Sequence, residues 1–86
     1  MPELCRFFGI IIAMYHREHG VPHFHAIYGE HDVTIAIETG EVLVGKLPRR
    51  ALARVLKWRK LHLEELRSNW QMALKQKPVA KIAPLE

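Results

Sequence analysis

Five of the six histidines in this 86-residue chain fall in one stretch, HREHGVPHFHAIYGEH, residues 16–31. Imidazole titrates near neutral pH and ligates metals, so such a stretch could hold an ion or move protons. Spacing sorts the five. His23 and His25 alternate along HFHAIY. On a strand, both rings share one face, with Cα atoms about 6.6 Å apart. His16, His19 and His31 fall at a strand end, in a Gly/Pro loop and in a turn, where solvated roles are expected.

The elements that must position the pair can be read from alternation and breakers. RFFGIIIAMYHR (6–17) is apolar on both faces and rich in β-formers, which fits an interior strand. HFHAIY (23–28), DVTIAIE (32–38) and EVLVG (41–45) are three further runs, punctuated by Gly20, Pro22, Gly29 and Thr39-Gly40. With Glu30-His31 as the turn, Tyr28 opposes Val33, Ala26 opposes Ile35 and Phe24 opposes Ile37, an all-apolar core face. With Thr39-Gly40 as the next turn, Ile37 opposes Val42 and Ile35 opposes Val44.

This register collects His23, His25, Glu38 and Glu41 on the second face. His23 then opposes Glu38, and Glu38 opposes Glu41. Glu38 could orient a ring or serve as a third metal ligand beside His23 and His25. Two glutamates side by side would repel and raise a carboxyl pKa.

After Pro48 the pattern becomes helical. From Arg49 to about Lys75 there is no proline or glycine. Leu52, Val55, Leu56, Leu66, Trp70 and Ala73 share one stripe, with Arg59 and His62 inside it. One long helix fits, or two with a bend near residues 59–62. Trp58 and Trp70 read as core or interface anchors. The ending QKPVAKIAPLE is a proline-punctuated tail whose Val79, Ile82 and Leu85 could dock on the body or on another chain.

Composition narrows the classes. A chain this short makes one small domain that buries only about 60% of its unfolded surface. Cys5 alone cannot build a disulfide framework or a cysteine zinc site. FFGIIIAMY is too short to span a bilayer and lacks the flanks of a signal peptide, so a cytoplasmic protein with no membrane partner is expected. No phosphate-binding loop, dinucleotide fingerprint, HExxH or GxSxG occurs. Charge divides sharply. Residues 1–45 hold two Lys/Arg against six acids, whereas residues 46–86 hold eleven against three. Arg49, Arg50, Arg54 and Lys57 could hold phosphate along the helix.

Together, RFFGIII-MY, PHFHAIYGE, IETGEVLVGKLP-RAL and ELRSNW…KIAPLE resemble the bacterial domain of unknown function numbered 4160. The likeness extends over residues 4–86. Family positions match at Pro22, His23, Phe24, His25, Tyr28, Gly29 and Glu30, and at Trp58, His62 and Trp70. His16 and Arg59-Lys60 depart from the pattern. Members are often encoded beside another small family, numbered 2442, in pairs that look like toxin–antitoxin modules. The resemblance therefore implies a small partner protein encoded nearby.

The expected fold is α+β over residues 1–86. A four-stranded, mostly antiparallel meander occupies 1–46, a long C-terminal helix 47–76 and an extended tail 77–86. Association, with a partner protein or with a second copy of the chain, is expected because so small a domain barely covers both sheet faces. Three functional readings stand. The first is a protein-binding, regulatory member of a toxin–antitoxin-like pair that also contacts nucleic acid. The second is a small ribonuclease or phosphodiester hydrolase using His23 and His25 as acid and base, with Glu38 orienting one ring. The third needs a divalent metal on His23, His25 and Glu38; the first two need no cofactor.

Overall fold

The structure, a computed structural model, describes residues 3–16 and 20–86. The expectation for His19 lies outside the described residues. Five antiparallel strands form one sheet in sequence order: β1 (Glu3–Phe7), β2 (Ile10–Ala13), β3 (His23–Tyr28), β4 (His31–Ala36) and β5 (Val42–Val44). Two helices follow, α1 (Arg49–Leu61) and α2 (Leu63–Leu74).

Residues 6–17 were expected to form one strand. Instead β1 and β2 make a hairpin, with Phe7 paired to Ile10 across a Phe8-Gly9 turn. Both turn residues have positive φ, 50° and 77°, the signature of a two-residue turn whose twist matches the strands. Phenylalanine is a poor residue for that conformation, which is why composition hid the turn.

The β3–β4 register also differs from expectation. Tyr28 pairs with His31, Ala26 with Val33 and Phe24 with Ile35. The turn is Gly29-Glu30, because Gly29 at φ 59° supplies the positive angle that the first turn position requires. The slip is two residues, so side-chain parity survives. Phe24, Ala26, Val33, Ile35 and Ile37 are all buried on the expected core face. Further on, Ile35 pairs with Val42 and Thr34 with Val44, across a bulge.

Trp58 from α1 lies at the centre of the core, its ring 5.8 Å from those of both Phe7 and Phe24. Val55, Leu66, Trp70 and Ala73 of the expected stripe are buried with it. The single helix is divided at His62, whose φ of −124° leaves the helical range. Its N–H still reaches the carbonyls of Trp58 and Arg59, and its own carbonyl accepts from Leu66 N–H, so the chain bends with little loss of hydrogen bonding.

At the end of α2, Gln76 takes φ 56°. The N–H groups of Gln76 and Lys77 reach back to the carbonyls of Ala73 and Met72, which closes the helix with two bonds. The tail then docks on the body of its own chain. Ile82 is buried and its N–H donates to Leu4 O, while Trp58 Nε1–H donates to Ala83 O at 2.8 Å. Asn69 exchanges two 2.9 Å hydrogen bonds with the backbone of Ala80.

Candidate functional site

His23 and His25 do come together, with ring centroids 5.4 Å apart and planes nearly perpendicular. Alternation on β3 places them on one face, as the spacing requires. Their surroundings differ. His23 is only 8% exposed. Its Nδ1–H donates to Val21 O at 2.7 Å, and its ring packs 5.1 Å from Trp70. His25 is half-buried and meets Tyr15 edge-on at 4.6 Å. Its Nδ1 lies 3.5 Å from Thr34 Oγ1 and 3.9 Å from Asp32 Oδ1.

Glu38 does not oppose His23; Ala36 does. The two-residue slip carries Glu38 past the end of β4 and towards α2. There Arg67 grips both carboxylate oxygens, through Nε at 2.8 Å and Nη2 at 2.7 Å. This paired cation lowers the Glu38 carboxyl pKa, the reverse of the rise expected from an opposing Glu41. Glu41 instead joins the turn, with its N–H on Thr39 Oγ1 and its carbonyl accepting from Ala36 N–H. The carboxylate beside His25 is therefore Asp32. The signal was present in the sequence: a glycine at the first turn position sets Ile27 against Asp32, diagonal to His25. Among the described residues, no three His, Cys, Asp or Glu side chains are grouped so that they could hold a metal ion.

His16 and His62 have structural partners, while His31 opens β4 with an exposed side chain. His16 donates from Nε2 to Lys77 O at 3.0 Å, which ties the end of the first hairpin to the start of the tail. His62 packs 5.5 Å from Trp58 and bonds Glu65 at 2.5 Å, a pair that stays at the helix junction. Burial pushes the Cys5 thiol up to about 11, so it stays protonated at neutral pH.

The second candidate region is α1. Thirteen residues, RRALARVLKWRKL, carry six Lys/Arg and no acid. One cation is structural. Arg59 is 8% exposed and donates to Ile37 O at 2.7 Å and Glu38 O at 2.6 Å, which braces the β4–β5 turn. The others point outward. Among the described residues, Arg49, Arg50, Lys57 and Lys60 make no ion pair or side-chain hydrogen bond. Arg54 lies over the Phe8 ring at 4.1 Å. Between α1 and the β4–β5 turn is a cavity of about 410 Å³, with Leu56 and Lys57 in its wall; neither His23 nor His25 lines it.

These features define a small α+β protein, a five-stranded antiparallel meander followed by two helices. The chain belongs to the family described as Domain of unknown function (DUF4160), whose family model matches residues 9–71. That match covers the histidine pair and all of α1. No curated protein and no solved structure matches the chain. No helix among the described residues is long and apolar enough to cross a membrane.

Proposed function

We propose that the protein is a binding and regulatory component of a two-protein, toxin–antitoxin-like pair, and that α1 is its nucleic-acid contact. One observation carries the second half of this reading: α1 presents cations outward with no acidic residue to neutralise them. Arg50 and Arg54, four residues apart on the helix, repel one another. Arg49 and Arg50 also stand in the first turn, where the helix dipole disfavours positive charge and no side chain caps the N–H groups. Phosphates beside this face would relieve both costs and release their counterions. The partner protein is what the resemblance to the family numbered 4160 implies. Surface for it exists in Leu43 and Val44 of the edge strand β5, both exposed.

The test has two arms. Purified protein should be retained by immobilised nucleic acid at low salt and released steeply as salt rises. Co-expressed with the product of the adjacent gene, it should purify as a complex. Failure of both arms overturns the proposal.

A hydrolytic reading is favoured by one observation, the 5.4 Å approach of His23 and His25 with Asp32 close to His25. In it, Asp32 takes the orienting role expected of Glu38. A folded His23→Ala/His25→Ala double variant that cleaves RNA as fast as the wild type removes this reading.

A further inference from the structure

We infer that Phe8, at the tip of the β1–β2 hairpin, is a base-stacking platform that makes the α1 face specific for single-stranded nucleic acid. This rests on the proposed phosphate-contacting role of α1 and deepens it. Among the described residues, Phe8 is the one aromatic side chain more than half exposed, at 51%. Trp58, Trp70, Phe7 and Phe24 are buried in the core and offer no face to a base.

The placement of Phe8 is costly twice over. A non-glycine residue at φ 50° is strained, and the two-residue turn it occupies is favoured by asparagine or glycine. A large apolar ring held open to water loses the free energy that burial would return. Backbone strain and apolar exposure at one residue point to a use outside the fold.

Its neighbour indicates which use. The Arg54 guanidinium lies 4.1 Å from the ring centroid. Arg50, Arg54 and Lys57, at spacings of four and three residues, follow one another along one side of α1. A single strand laid along this side would place phosphates on the three cations. One unpaired base could then stack against the open part of the Phe8–Arg54 pair. Aromatic rings and guanidinium planes both stack on bases, and the contact tolerates any sequence because every base has a π-face. A duplex keeps its bases stacked internally and could satisfy only the cations.

The experiment compares a fluorescein-labelled oligothymidylate, an abasic oligonucleotide of equal length and a duplex, by anisotropy over a salt series. The wild type should bind the oligothymidylate about tenfold more tightly than the abasic strand. Phe8→Leu should lose that difference while keeping the same salt slope, because the phosphate contacts remain. Phe8→Tyr should restore the difference. Melting curves report whether each variant is folded, and the wild-type comparison of base-bearing with abasic strand stands without any variant. Oligouridylate in place of oligothymidylate assigns the strand to RNA or DNA by the higher salt needed for release. Equal binding of all three wild-type probes overturns the Phe8 inference and leaves the role of α1 standing. Binding of none of them overturns both.

Discussion

The histidine pair on β3 and the cationic face of α1 both carry groups that could act on a substrate, but the fold treats them differently. At the pair, His23 turns inward, packing on Trp70 and donating to Val21 O, while Glu38, expected beside it, is held on the surface by Arg67. Along α1, only Arg59 turns inward, and Arg49, Arg50, Lys57 and Lys60 are left to solvent. Residue type alone is therefore a poor guide to use. An imidazole can be spent on architecture as readily as on chemistry, and a buried arginine can be a brace. What separates the two regions is whether the polar atoms are already engaged inside the chain.

The sharpest way to break this contrast is charge reversal on α1. A triple variant, Arg50→Glu/Arg54→Glu/Lys57→Glu, should weaken nucleic-acid binding on the order of a thousandfold at low salt, since three attractive contacts become repulsive. Its thermal melting should stay close to that of the wild type, because Arg50 and Lys57 bond nothing inside the chain and Arg54 gives up only its contact with the exposed Phe8 ring. Unchanged binding in a filter or anisotropy assay would return α1 to an ordinary solvated helix.

Next in size is Arg59→Leu. It leaves the carbonyls of Ile37 and Glu38 without their donors, at a cost of about 2–4 kcal/mol. Urea denaturation measures this, and a neutral result would mean that the β4–β5 turn does not depend on its brace.

Smaller again is the difference within the histidine pair. His23→Ala should cost about 1–2 kcal/mol through lost packing on Trp70 and the lost bond to Val21 O. His25→Ala, at the more open position, should cost less than about 1 kcal/mol. The reverse order by chemical denaturation would place the structural weight on His25.

The smallest effect is electrostatic. Arg67 holds the Glu38 carboxyl below its ordinary 4.5. A lowered carboxylate pKa stabilises the fold above that value, and the contribution disappears as pH falls through the folded-state pKa. Glu38→Gln should therefore melt slightly below the wild type at pH 7, and the two should converge in acid. A difference that persists at low pH would locate the effect outside the ion pair.

Much of the architecture was legible from local pattern. Alternation assigned Phe24, Ala26, Val33, Ile35 and Ile37 to the core, and their burial agrees. Period-3.6 spacing did the same for Val55, Leu66, Trp70 and Ala73. Parity explains why the sheet faces survived a wrong register: a two-residue slip changes the partner and not the face. It also explains why the site did not survive intact. His23 and Glu38 needed the exact register to meet, and Gly29 set a different one.

The sequence by itself determined the α+β class, the faces of strands and helices, the adjacency of His23 and His25 and the charge division between the halves. These depend on residue type and short periodicities, which do not need distant contacts. Only the tertiary structure decided that Phe8-Gly9 turns the first run into a hairpin, that Glu38 goes to Arg67 and that the tail closes over Trp58. It also decided which of the α1 cations is a brace and which are left outside. Each of those outcomes joins residues far apart in the chain or places an unfavourable residue in a turn, so they rest on packing of the whole domain.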